Sequence, residues 1–318
     1  MKQDIHSSVL KYCALALLAF THCLTSYSQI TERSPSFEAG ITVGPSNFLG
    51  DLGGNAGRGK TFIKDNNFQT TKLTYGAYLS YQPAEWLAAR LSLNAGTLEG
   101  DDAIIKGKGG LEEMRKIRNS DFRSKFAEVL LLAEVYPTVF LEFDPSDLYH
   151  KIRPYGVIGV GAFHFNPQGS DPATGQWVDL QPLRTEGQGF AEFPDRKEYK
   201  LTQMNIPMGI GVKYFLSDNV NIGFEILHRK TFTDYIDDVS TSYIDPALFY
   251  SHLPIAQAQV AERMANKTGL ITTRTFNTGD KRGTPKNKDS YYSAGFKLGI
   301  RLNSQNPYRN STSCPINF

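Results

Sequence analysis

Phe126 to Val135 reads FAEVLLLAEV, and the placement of its two glutamates decides how the chain folds. With a period of two, Ala127, Val129, Leu131, Ala133 and Val135 fall on one face, and Glu128, Leu130, Leu132 and Glu134 on the other. The same alternation recurs before and after it. Phe37, Ala39, Ile41 and Val43 oppose Glu38, Gly40, Thr42 and Gly44; Leu73–Tyr81 and Leu87–Gly96 repeat the pattern. Asn205–Phe215, Val220–Thr231 and Tyr291–Leu302 do so again, and Tyr155–Phe165 (YGVIGVGAFHF) is apolar or glycine on both faces. That makes about eight segments of roughly ten residues, the length of a tilted membrane strand.

The charges give an independent test. Glu38, Arg90, Glu128, Glu134, Lys213, Glu225, Arg229, Lys297 and Arg301 all share the glycine-bearing face. The opposite face is apolar and aromatic until the strand ends, where Lys125, His228 and Lys230 stand. A soluble lipocalin-like barrel would put its charges outside. Here the charge-free face must be the outer one and meet lipid, where a mid-bilayer Lys or Arg costs about 2–4 kcal/mol. Connection lengths agree. Gln82–Glu85, Phe143–Ile152 and Ser217–Asn219 are short, and the other four run to roughly 20 residues or more against a usual median of about 4–6. Outer-membrane barrels have this asymmetry of periplasmic turns and extracellular loops. The expected fold is all-β: an eight-stranded antiparallel transmembrane β-barrel in the outer membrane, contacting its lipid, with long extracellular loops of which one carries a helix. Tyr81, Trp86, Tyr136, Tyr155, Phe165, Tyr214, Phe232 and Tyr292 lie near strand ends and are assigned to interfacial girdles.

The termini bound the barrel. Lys2 and Lys11 precede the apolar Tyr12–Leu24, and Ser26-Tyr27-Ser28 gives a small-x-small cleavage site before Gln29. Residues 1–28 are therefore expected to be a signal peptide, 29–303 the barrel, and 304–318 a periplasmic C-terminal tail. Of the three cysteines, two belong to the signal segment, leaving Cys314 as a lone thiol. A formal charge of +2 provides no footprint for nucleic acid.

An eight-stranded lumen is just wide enough for side chains to fill it. The nine inward charges are expected to pair into a sealed, salt-bridged core and not a diffusion pore, with a gated or small channel as the alternative reading. Three motif matches carry no chemistry. Gly54–Thr61 (GNAGRGKT) fits the phosphate-loop pattern but sits in the first outer loop, without the buried strand and helix that pattern needs, so no nucleotide is expected. Gly159-Val160-Gly161 lacks the third glycine of a dinucleotide loop, with His164 in its place. Asp234, Asp237 and Asp238 lack EF-hand spacing and act as turn and capping residues. Neither a metal nor another cofactor is expected, and no catalytic residue is assigned. His164 and His228 stand at the right height for an outer-membrane hydrolase or acyltransferase but have no Ser or acidic partner nearby in sequence. In the loop after Thr231, Asp234, Tyr235, Asp237, Asp238 and Tyr243 are candidates for contacts with an extracellular partner. Leu248, His252, Ala256, Val260 and Met264 recur every fourth residue and predict one amphipathic helix.

Four stretches carry a family resemblance: RPYGVIGVGAFHFNPQ (Arg153–Gln168), TEGQG (Thr185–Gly189), NIPMGIGVKYFL (Asn205–Leu216) and GFEILHRKTFTDYIDDVSTSY (Gly223–Tyr243). With the EAGITVGPSNFLGDL opening (Glu38–Leu52), they resemble the PorG-like outer-membrane barrels, over most of the chain beyond the signal segment. The resemblance implies a non-enzymatic anchoring or assembly role in a type IX-like secretion apparatus, with periplasmic ring subunits as partners. It transfers no catalytic residues. A surface-binding barrel using its outer loops is the alternative, and an outer-membrane hydrolase or acyltransferase the third reading.

Overall fold

The computed structural model describes residues 35–53, 68–105, 112–141, 151–270 and 273–302. The expected signal peptide, the GNAGRGKT stretch, most of the Phe143–Ile152 turn, the C-terminal tail and Cys314 lie outside them.

Eight long strands close a ring: β1 (Ser36–Leu49), β2 (Lys72–Ala84), β3 (Leu87–Asp101), β4 (Asp121–Val135), β5 (Ile152–Ser170), β7 (Thr202–Phe215), β8 (Val220–Thr231) and β9 (Ser290–Arg301). Each pairs antiparallel with its neighbours, and β1 meets β9 to complete the circle. Closure leaves the ring itself without an open edge. The short β6 (Trp177–Asp179) pairs only with the far end of β5 and stays outside the ring. β5 is longer than its sequence pattern suggested, at 19 residues. That greatly exceeds the roughly 9–11 residues needed to cross a bilayer. The wall formed by β3, β4 and β5 therefore continues past the membrane and becomes a support for the loops.

The facing follows the charge argument. Leu131, Ile158, Val160, Ile210 and Phe296 point outward, each more than half exposed. β5, whose facing the sequence left open, turns Arg153, Tyr155, Val157, Phe163 and Phe165 inward. This corrects part of the girdle assignment. Tyr81, Tyr214 and Phe232 are exposed on the outer face, whereas Tyr136, Tyr155 and Phe165 are buried inside. Tyr136 keeps the parity of Glu134, and Tyr155 that of Arg153. Inward glycines make room for such rings. A Cβ at Gly211 would sit 2.4 Å from the Tyr155 ring, and one at Gly40 would sit 2.4 Å from Tyr78. In the register these are directly paired residues, Tyr155 with Gly211 and Tyr78 with Gly40. A substitution on the opposite face tests the orientation. Leu131→Arg should destabilise the barrel by about 2–4 kcal/mol in lipid, read as a lowered urea midpoint. An unchanged midpoint would remove the lipid-facing assignment.

The outer loops, at the end opposite the short turns, hold α1 (Glu112–Arg118), α2 (Ala247–His252) and α3 (Ile255–Ala265). α1 ends at Asn119, which takes a left-handed φ of 54°. The single helix expected from the fourfold recurrence is two. Leu253 is extended (φ −120°, ψ 154°), and Pro254 stands at the N-cap just before α3. Proline supplies no N–H and disfavours helical geometry in the residue before it, so the chain turns there despite the continuous apolar spacing.

A filled lumen and a folded cap

Side chains fill the barrel in layers. Nearest the short turns, Glu134 of β4 is the hub. Arg90 Nη1 lies 2.5 Å from it, Lys213 and Lys297 each 3.3 Å, and the Tyr136 hydroxyl donates to it. Glu225 joins through Arg90 at 2.8 Å and the Tyr155 hydroxyl at 2.7 Å. Glu38 accepts from Lys213 at 3.2 Å, Tyr78 at 2.9 Å and Asn221 at 2.9 Å. Leu130 and Leu132 separate this layer from a second one. There Glu128 accepts from Arg229 at 2.6 Å, Tyr291 at 2.7 Å and Asn94 at 2.9 Å. Buried charges are tolerated when each is both paired and hydrogen-bonded, and tyrosines supply the remaining bonds here. Between the layers, Arg90, Glu225, Arg229, Thr74 and Ser293 line a cavity of about 20 Å³. That holds about one water.

Of the nine charges assigned to the lumen, Glu38, Arg90, Glu128, Glu134, Lys213, Glu225, Arg229 and Lys297 meet in these two layers. Arg301 sits at the end of β9, with its guanidinium 4.4 Å from the Phe215 ring centre. Arg153, paired with Glu85 at 3.6 Å, also belongs to the interior and was missed. The ambiguous facing of β5 concealed it. The polar tyrosines were missed as well, since near a strand end they look like interfacial residues.

Towards the loops the lumen turns aromatic. Phe48, Phe122, Phe126, Phe163, Phe165 and Tyr291 pack together, and Ile236 and Val239 of the last long loop insert among them. Above, the loop after β5 and the loop after β8 make a second apolar core around Phe190, Phe249 and Met264.

Two arginines organise this cap. Arg118 grips Asp102 with both arms at 2.7 and 2.9 Å and donates to the carbonyls of Asp51 and Arg282, each at 2.7 Å. Burial alone would lower its pKa, but Asp102 overrides that and holds it above the usual arginine value. Arg282 bonds Glu186 at 3.0 Å and the Asp238 carbonyl at 2.6 Å. Glu186, from the TEGQG stretch, also accepts the backbone N–H groups of Ser240 and Thr241, each at 2.9 Å. Two stretches quoted for the family resemblance thus meet in one buried network.

The same network revises the loop-contact candidates. Asp234, Asp237, Asp238 and Tyr243 are buried, and Tyr235 is half-buried, stacked on Tyr199 at 4.7 Å. Asp238 takes a left-handed φ of 61° and accepts from the Tyr199 hydroxyl at 2.7 Å. Burial pushes its carboxyl up to about 6, with Arg282 opposing. These side chains serve the interior of the cap, because the chain here descends into the barrel mouth. Among the described residues, no group of three or more His, Cys, Asp or Glu is arranged to hold a metal ion.

The three histidines among the described residues do not converge. His164 is exposed on β5, 3.0 Å from Thr202 Oγ1, and His228 lies opposite Met208. Thr202 and Met208 are both on β7, which places the two imidazoles about 20 Å apart along that strand at roughly 3.3 Å per residue. His252 pairs instead with Glu192 at 2.9 Å, stacked on Phe190.

A closed antiparallel ring with an apolar exterior and a charged, filled lumen defines an eight-stranded outer-membrane β-barrel. No protein-family model matches the chain, and no curated protein matches it. Among solved structures it is similar to Ail, the attachment invasion locus protein of Yersinia pestis, at 8% identity and a TM-score of 0.35, over 83% of this chain and 98% of that one. It is also similar to Neisserial surface protein A (8%, TM-score 0.34, over 84% and 99%). A major outer membrane protein of Thermus thermophilus gives 12% identity and a TM-score of 0.35, over 85% and 100%. The class itself rests on this chain's own closure, facing and packing.

Proposed function

We propose that this protein is a non-enzymatic barrel that anchors or assembles a type IX-like protein secretion apparatus, with periplasmic ring subunits held on its short-turn side. The observation that supports it most is the filling of the lumen. Among the described residues, four carboxylates and four cations engage one another and aromatic residues occupy the mouth, which leaves little room in the lumen for transport. Such a barrel works through its surfaces. The resemblance in TEGQG and DYIDDVSTSY gains weight from the packing of both stretches in one core. Mild crosslinking in outer membranes, followed by identification of what copurifies, tests the role. Recovery of periplasmic ring subunits is expected; recovery of the barrel alone would discard it. In planar bilayers the purified protein should show no steady conductance, and a stable open level would contradict the closed lumen.

A specific observation favours surface binding as the second reading. Tyr250 of α2 and Ile255 of α3 lie 45% and 71% exposed on the cap, where an extracellular partner would reach them. Capture of a surface ligand that Ile255→Asp abolishes would support it.

A further inference from the structure

At the seam between barrel mouth and cap, four carboxylates gather, and three of them act as staples. Asp51 follows β1, Asp234 and Asp237 follow β8, and Asp289 precedes β9. Asp237 accepts the N–H of Leu52 at 2.9 Å and of Val239 at 3.0 Å. Asp289 accepts that of Ile236 at 2.8 Å, and Asp51 that of Thr284 at 2.5 Å. These bonds tie the first outer loop to the last, and the start of the last loop to its end. Breaking them would free Ile236 and Val239 to leave the barrel mouth.

The same four groups have no ion-pair partner among the described residues. Two of the nearby cations are engaged elsewhere, Arg118 on Asp102 and Arg282 on Glu186, and Lys288 donates to the Pro285 carbonyl at 3.0 Å. A second observation is independent of the acidic clustering. Oδ1 of Asp234 and Oδ1 of Asp289 are buried and receive no hydrogen bond, on side chains that are 2% and 1% exposed. A buried carboxylate oxygen with no donor and no cation is costly as an anion and comfortable as an acid.

We propose that this seam is a proton-operated latch: protonated Asp234, Asp237 and Asp289, with Asp51 at their edge, hold the cap on the barrel mouth, and their ionisation releases it. The charged groups that face the latch are Arg118 from the second outer loop, Glu186 from the third, and Lys281 and Lys288 from the fourth. The acids outweigh what these cations offset. Burial pushes Asp234 up to about 7, and it raises Asp51, Asp237 and Asp289 as well; Asp51 reinforces the other three and Asp237 reinforces Asp289. A raised folded-state pKa stabilises the latch fully below the unfolded value of about 4 and loses that contribution as pH rises through the folded value. The cap is therefore closed in mild acid and loosens above neutrality.

Hydrogen exchange on the full-length protein in lipid tests this between pH 5.5 and 9, with rates corrected for intrinsic base catalysis and β8 and β9 as internal references. Peptides bearing the Leu52 and Ile236 amides should lose protection by up to about tenfold per pH unit above the folded value for each proton released, while the strands stay flat. Asp289→Asn and Asp234→Asn each keep the oxygen that accepts Ile236 N–H or the Ser240 hydroxyl and remove one charge. Each should flatten the profile. A flat wild-type profile overturns the latch, and so does a wild-type slope retained in both variants.

Discussion

Replacing Glu134 with alanine should prevent the barrel from reaching its heat-resistant folded form. The substitution leaves Arg90, Lys213 and Lys297 in the lumen, each no more than 4% exposed, without their shared counter-charge. Removing one member of a buried ion pair costs about 3–5 kcal/mol, a large share of the roughly 5–15 kcal/mol that holds an ordinary domain together. Electrophoretic mobility before and after boiling, together with the urea midpoint in vesicles, measures the effect. A folded band with an unshifted midpoint would mean that the hub is dispensable. Tyr136→Phe removes only the hydroxyl donated to Glu134, and its smaller cost of about 1–3 kcal/mol shows how much of the hub's strength is hydrogen bonding.

Arg282→Ala should unfold the cap and leave the barrel standing. Arg282 is 5% exposed and bonds Thr185, Glu186 and the Asp238 carbonyl, joining the two longest outer loops. Its loss strands Glu186 in the cap interior, at about 3–5 kcal/mol. Trypsin should then cut within residues 232–289 at rates far above wild type, while the strands remain protected. Arg184→Ala is the control. Its pairing with Glu198 at 3.2 Å is solvent-exposed and contributes at most about 1 kcal/mol. An Arg282→Ala cap as resistant as wild type would displace Arg282 from its central place. Simultaneous loss of the strands would show that cap and barrel form one cooperative unit.

The two substitutions act at different levels of what the sequence records. Glu134 was legible. In a strand, facing is set by parity alone, so FAEVLLLAEV announces an inward glutamate whatever surrounds it. The charges of β1, β3, β7, β8 and β9 were read the same way, and so was the ring they line. Parity also held Tyr136 inward two residues after Glu134, and Pro254 marked the break between α2 and α3. Both signals were present, but the positional habit of girdle tyrosines and the fourfold apolar spacing outweighed them.

Arg282 was not legible, nor were the buried roles of Asp234, Asp237 and Asp238. A run of aspartates and tyrosines in a long loop has the same composition whether it faces solvent or folds inward. What decides is whether Glu186, 54 residues before Ser240, arrives to accept its N–H. That meeting depends on strands β5 and β8 being held at fixed places on a closed ring, and on β5 running on past the bilayer to support the loops. The sequence alone determined the barrel, its facing and its short-turn end, because those follow from a local period of two. Only the tertiary structure decided that the outer loops are a folded cap with a charged interior, because that interior is made of contacts between segments brought together by closure.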